Sequence, residues 1–110
     1  MSTGSNSSHE RDEEAAIQTL LLEHRDEILN SAYRHGARNV RVFGSVARGE
    51  STSTSDIDFL VDASDTTSPW FPAGLVQELE GLLDRPVDVV TEQSLHWLLR
   101  RRILREAKPL

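Results

Sequence analysis

Two aspartates, Asp56 and Asp58, stand one residue apart in the stretch DIDFLVD, which otherwise alternates as a β-strand does. Alternate residues of a strand leave the same face, so the pattern places the two carboxylates side by side. Two negative charges at that spacing repel each other, and burial of the face increases the penalty. Carboxylate oxygens are preferred ligands of hard cations such as Mg²⁺. The spacing therefore predicts a divalent-metal site on this strand.

A third aspartate, Asp88, interrupts another run of β-branched residues, in the stretch PVDVV. Val87 and Val89 are predicted to face the core, which directs Asp88 to the opposite face. If the two strands are neighbours, three carboxylates converge, and such a set can hold two metal ions about 3.5–4 Å apart that bridge the attacking and leaving oxygens at phosphorus. For any one aspartate, a solvent-facing position on a one-sided sheet is the simpler interpretation. The three together favour a metal site.

The dipeptide Gly44–Ser45 follows one predicted strand and precedes a short predicted helix. Gly44 permits close approach of the backbone, Ser45 and the start of the helix offer donors to an anion, and Arg48 adds positive charge. The spacing GxxxxGK[ST] of a P-loop is absent from the sequence. Taken alone, this pair is interpreted more simply as a strand-to-helix turn with Ser45 as the N-cap.

The elements that must position these residues alternate along the chain. Hydrophobic periodicity predicts a first helix that ends at Gly36, a short helix at SVARGE, a third helix before Pro86 and a last helix before Pro109. Three strands are predicted within NVRVFG, DIDFLVD and VDVV. This order is typical of an α/β fold in which a short sheet packs against helices.

Composition limits the classes of protein. The chain has 110 residues, enough for one core, and we expect residues 1–11 to form a disordered Ser/Asn-rich tail ahead of a single domain at 12–110. A net charge of −6 argues against direct nucleic-acid binding by bulk attraction. No apolar run approaches the roughly 18 residues of a membrane span. The absence of cysteine is compatible with a reducing compartment, so we expect a cytoplasmic protein without membrane contact.

The stretch FGSVARGESTSTSDIDFLV resembles the signature of the DNA polymerase β-like nucleotidyltransferase superfamily, most closely its smallest branch, the minimal nucleotidyltransferases. The motif of that branch is Gly-Ser-x-Ala-Arg-Gly, five residues, then Ser-Asp-x-Asp. The sequence matches this motif at Gly44, Ser45, Ala47, Arg48, Gly49, Ser55, Asp56 and Asp58. The similarity runs from within the first helix to the C-terminus and includes the strand that carries Asp88. It implies the polymerase β-like nucleotidyltransferase fold.

The resemblance also implies a reaction. AMP would pass from ATP to an acceptor hydroxyl with release of pyrophosphate, and two Mg²⁺ ions are implied as cofactors. The implied catalytic and metal-binding carboxylates are Asp56, Asp58 and Asp88. The implied nucleotide-binding residues are Gly44, Ser45, Arg48 and Ser55. Proteins of this branch are typically antitoxins encoded beside a helical HEPN-family ribonuclease toxin, and they attach AMP to a tyrosine of that toxin.

Two other functions remain open at the level of sequence. A binding module would retain the site with slow or absent activity and neutralise the toxin by contact alone, although the presence of all three aspartates argues against full degeneration. Transfer to a small-molecule hydroxyl is the other alternative. The chain has no room for a second domain that would hold such an acceptor, which counts against it.

Two surface features have open interpretations. Trp70 and Phe71, in a proline-bounded loop, are predicted either to contact a partner or to fold onto the core. The last helix is strongly basic, and a solvated face is the preferred interpretation over a docking surface for an acidic partner or a nucleotide. Its basic residues are Arg100, Arg101, Arg102 and Arg105.

Overall fold

The computed structural model describes residues 2–52, 54–65, 67 and 70–110, with side chains described from residue 13 onward. Its helices are α1 (Ser2–Glu23), α2 (Arg25–Arg34), α3 (Ser45–Arg48), α4 (Ala73–Leu83) and α5 (Trp97–Glu106). Its strands are β1 (Ala37–Phe43), β2 (Ile57–Ala63), β3 (Val87–Thr91) and β4 (Lys108–Pro109). A single 3₁₀ turn, Glu92–Ser94, connects β3 towards α5.

The sheet of the described residues is mixed, with strand order β3-β2-β1-β4. β1 pairs antiparallel with both β2 and β4, whereas β2 and β3 run parallel. The predicted architecture, a short mixed sheet packed against helices, is confirmed. The fourth strand was not predicted, because two residues that include Pro109 are too few to show alternation.

The core lies on one face of this sheet. Ile57, Phe59 and Val61 of β2 are buried there, as their alternation predicts. Helices α2 and α4 cover this face with the buried side chains Ile28, Ala32, Leu75, Leu79 and Leu83. Leu60 points to the opposite face and is also fully buried. The second face of the sheet is therefore partly covered, and Asp58 lies on it.

The first predicted helix is divided in two by the structure. At His24 the backbone departs to φ −103 and ψ 11, and α2 begins at the next residue. Gly36, with φ +79, ends the helical region as predicted. The structure also extends α1 back to Ser2, through the segment for which the sequence predicts disorder. The first buried side chain described in α1 is Ile17. The division of the chain into a tail at 1–11 and a domain at 12–110 stays a prediction.

The predicted last helix is present as α5, but its side chains are not enclosed by the core. None of its described side chains is buried, and Leu98 and Leu99 are 64% and 50% exposed. Periodicity identifies an apolar stripe but not what covers it, so the exposure of Leu98 and Leu99 could not be predicted from the sequence. Of the described helices, none is long and apolar enough to cross a membrane.

Candidate active site

Asp58 and Asp88 are register partners on the parallel strands β2 and β3. Paired residues on adjacent strands project from the same face, and Val87 and Val89 on either side of Asp88 are buried on the other face. The two carboxylates are therefore neighbours on the face that also carries Leu60. Asp56 lies immediately before β2 and is exposed. The topology thus brings together the strands whose adjacency the sequence could only assume.

The surroundings of Asp58 disfavour the charged form of its carboxylate. Burial, together with the negative charges of Asp88 and Asp56, raises the pKa of Asp58 to about 6. Arg48 acts in the opposite direction but does not compensate for the shift. The site therefore carries excess negative charge that a cation would stabilise.

The donor chemistry of this carboxylate pair fits Mg²⁺ as part of its ligand set. Among the described side chains, no three acidic, histidine or cysteine residues are grouped tightly enough to hold an ion by themselves. Mg²⁺ is usually held by one or two carboxylates, with phosphate oxygens and water as the other ligands. Asp58 and Asp88 supply such a pair, while the assignment of all three aspartates as metal ligands stays a prediction.

Gly44 brings the backbone of the turn between β1 and α3 against Asp58. Its φ of 72 and ψ of −150 lie in a region that favours glycine, and a Cβ at this position would overlap Asp58 Oδ2. The N-cap of α3 is Gly44, so the prediction of Ser45 as the N-cap is wrong, and Ser45 is the first helical residue.

Glu106, the last residue of α5, reaches the same turn. The Gly44 N–H donates to Glu106 Oε2 at 3.3 Å, and Arg48 Nη1 lies 2.5 Å from Glu106 Oε1. Arg48 also pairs through Nε with Glu50, at 2.9 Å. Glu106 was not predicted as a site residue. A signal was available, because an acidic residue at the C-terminal end of a helix is unfavourable to the helix dipole, which favours a nearby donor or cation.

Ser55 shapes the loop that leads to Asp56. Its hydroxyl accepts a hydrogen bond from the Thr52 N–H at 2.8 Å. Arg85 Nη2 donates to the carbonyls of Thr52 and Ser55, at 2.8 and 3.3 Å. Arg85, which lies just before β3, therefore holds the loop beside the strand that carries Asp88. The role of Ser55 as a nucleotide ligand stays a prediction.

A chain of ion pairs anchors the start of α5 to the face that carries the carboxylates. The largely buried Arg41 on β1 lies 2.9 Å from Asp62 on β2 and 3.5 Å from Glu92. Glu92 in turn lies 2.8 Å from Arg100 of α5. Helix α5 is thus tied to the sheet through Arg100 and to the glycine turn through Glu106.

Comparison with known proteins agrees with this geometry. Residues 23–110 match the family model of the nucleotidyltransferase domain. A candidate protein adenylyltransferase of Methanocaldococcus jannaschii is 46% identical over 74 residues, which are 67% of this chain and 80% of that protein. The protein adenylyltransferase MntA of Thermococcus cleftensis is 38% identical over 90 residues, 82% of this chain and 88% of its own.

Solved structures give the same result. A candidate minimal nucleotidyltransferase superposes with a TM-score of 0.74 at 48% identity and covers 82% of this chain and 92% of its own. A toxin–antitoxin complex with AMP-PNP superposes with a TM-score of 0.66 at 28% identity, over 76% of this chain and 69% of that chain. The predicted recognition and enzyme class are confirmed: this chain belongs to the nucleotidyltransferase domain family, in its minimal nucleotidyltransferase branch.

Proposed function

We propose that this protein transfers AMP from ATP, with Mg²⁺ as cofactor, to a tyrosine hydroxyl of a HEPN-type toxin and thereby acts as the antitoxin of that toxin. Relatives named protein adenylyltransferases, and similarity to a toxin–antitoxin complex with AMP-PNP, support the proposal. The single observation that carries it is the side-by-side placement of Asp58 and Asp88, with the Gly44 turn against Asp58.

The chain's own residues supply binding and orientation. Asp56, Asp58 and Asp88 would hold Mg²⁺, which when bound neutralises negative charge on the phosphates. The Gly44 N–H and the Arg48 guanidinium, with the nearby Ser45 hydroxyl, are donors for the triphosphate. The reaction demands positioning and charge neutralisation more than covalent catalysis, and these groups supply both.

Asp88 is suited to take the proton of the acceptor. It is the exposed member of the register pair, so an incoming hydroxyl can reach its carboxylate. As the acceptor oxygen bonds to the α-phosphorus, the bond from that phosphorus to the bridging oxygen breaks and pyrophosphate leaves. A carboxylate that accepts the hydroxyl proton promotes this step as a general base.

The surface of α5 supports a protein as the acceptor. Trp97 is 76% exposed, and the next two residues of this short helix, Leu98 and Leu99, are 64% and 50% exposed. Three arginines of the same helix have no ion-pair partner among the described residues: Arg101, Arg102 and Arg105. Apolar contact area beside unpaired arginine suits an acidic protein surface. The last residue of α5, Glu106, contacts the Gly44 N–H, so a partner that docks along the length of this helix reaches the turn beside Asp58.

Labelling tests the proposal. The protein is incubated with ATP labelled at the α-phosphate, Mg²⁺ and the product of the adjacent gene, and covalent label on that product is measured. We expect the label to appear with the wild type and to disappear with Asp56→Asn and Asp58→Asn. Asp65 is an exposed aspartate in the loop after β2, so Asp65→Asn is the control and should retain the label. Neutralisation without label in the wild type would support the contact-only alternative.

A further inference from the structure

The carboxylate of Glu106 occupies the anion-binding side of the glycine turn. One oxygen accepts from the Gly44 N–H at 3.3 Å, and the other lies 2.5 Å from Arg48 Nη1. The side chain of Glu106 is only 13% exposed, whereas that of Arg48 is 37% exposed, so the carboxylate is more sheltered from water than the guanidinium that it contacts. The two donors belong to different groups, one backbone and one side chain, and a single carboxylate bridges them.

These two donors are the ones assigned above to the triphosphate. A carboxylate and a phosphate both present anionic oxygens to N–H donors, so they compete for the same hydrogen bonds. Glu106 also adds a negative charge close to Asp58, whose pKa it contributes to raising. Leaving Glu106 in place while a triphosphate enters would therefore put two anions on one pair of donors.

We propose that Glu106 determines the affinity for nucleotide: its carboxylate holds the phosphate-binding donors in the free protein and leaves them when the triphosphate binds. This inference rests on the proposed function, since it takes the Gly44 turn as the triphosphate site. Glu106 is suited to such a displacement because it is the last residue of α5, a helix with no buried side chain among those described. Nucleotide binding thereby releases the C-terminal end of α5. The exposed Trp97 is the first residue of the same helix.

Glu50 offers a matched control for the charge effect. Like Glu106 it pairs with Arg48, at 2.9 Å, but the Gly44 N–H has its side-chain partner in Glu106 and not in Glu50. Glu50→Gln therefore removes one negative charge near Arg48 and leaves the bridge intact. Glu106→Gln keeps the shape of the side chain and removes the charge that competes with phosphate.

The experiment is calorimetric titration of the full chain with Mg²⁺ and a non-hydrolysable ATP analogue, and separately with Mg²⁺ and inorganic triphosphate. We expect Glu106→Gln to lower Kd about tenfold for both ligands, and Glu50→Gln to change it less than about twofold. Adenosine is expected to bind the wild type and Glu106→Gln equally, because it presents no phosphate to the donors. A purely structural role of Glu106 would not produce a gain confined to phosphate-containing ligands.

Unchanged or weaker triphosphate binding in Glu106→Gln overturns this inference and leaves the proposed function intact. Absence of nucleotide binding in the wild type and in every variant overturns both. If Glu106→Gln does not fold, the wild type provides the test through the ¹³C resonance of the Glu106 carboxyl. We expect that resonance to shift on saturation with inorganic triphosphate but not with adenosine, and an unshifted resonance under triphosphate overturns the inference.

Discussion

The backbone of Gly44 lies against the carboxylate of Asp58, so closely that a Cβ on Gly44 would overlap Asp58 Oδ2. This relationship joins the two halves of the motif, the Gly-Ser turn and the Ser-Asp-x-Asp segment, in one small region. It also explains why the turn that offers a backbone N–H to an anion is placed beside the carboxylates proposed to hold Mg²⁺.

Gly44→Ala is expected to lower the free energy of unfolding by about 1–3 kcal/mol, because it combines a strained positive φ with a clash against Asp58. Transfer of AMP should fall with it, since relief of the clash moves the turn or the carboxylate. Chemical denaturation and the labelling assay measure the two effects. Gly81→Ala is the control: a Cβ there meets nothing within 4 Å in helix α4, and we expect stabilisation by about 0.5–1 kcal/mol. Equal effects at the two glycines would contradict the close approach.

Asp58→Asn is expected to stabilise the metal-free protein at pH 7. The folded pKa of Asp58 is raised from 3.8 to about 6, so its contribution to stability is fully present below pH 3.8 and is lost as pH rises through about 6. Because the side chain is partly exposed, solvent screening reduces the effect to about 1 kcal/mol. Urea unfolding at pH 4 and pH 7 measures it. The stabilising difference should be largest at pH 7, and Asp65→Asn should show no such trend.

Asp88→Asn is expected to retain nucleotide binding within about threefold while transfer falls about 100-fold or more, because a missing general base costs the chemical step. Kd by titration and single-turnover labelling separate the two effects. Asp84→Asn is the matched control, since Asp84 lies outside the site with φ 53, a left-handed conformation that asparagine tolerates. Full transfer activity in Asp88→Asn would remove this residue from the mechanism.

The double variant Trp97→Ser with Arg101→Ser is expected to weaken binding of the toxin partner by tenfold or more, on the order of the 1–2 kcal/mol that exposed anchor residues contribute. Nucleotide affinity and thermal stability should stay near those of the wild type, because neither side chain is buried. Binding is measured with the product of the adjacent gene. Tyr33→Ser is the control, because it removes an exposed aromatic side chain from a different helix, α2. It should leave partner binding unchanged.

The sequence by itself determined which face of each strand the residues of the site occupy. Alternation in DIDFLVD and PVDVV was sufficient to place Ile57, Phe59 and Val61 in the core and Asp58 and Asp88 on the other face, because the period of a strand is a local property of the backbone. The motif spacing was sufficient to identify the family. Both depend on residues within a short stretch of chain, which is where sequence patterns are informative.

Only the tertiary structure decided which distant segments of the chain are neighbours at the site. The register of Asp58 with Asp88, the two-residue strand β4 and the contact of Glu106 with Gly44 all join distant segments, and no periodicity encodes such closures. The sequence also left the exposure of α5 undecided. The same amphipathic pattern occurs in a helix that packs on the core and in a helix that a partner covers. Local geometry follows from the order of residues, whereas the charge at the site follows from which segments the sheet brings together.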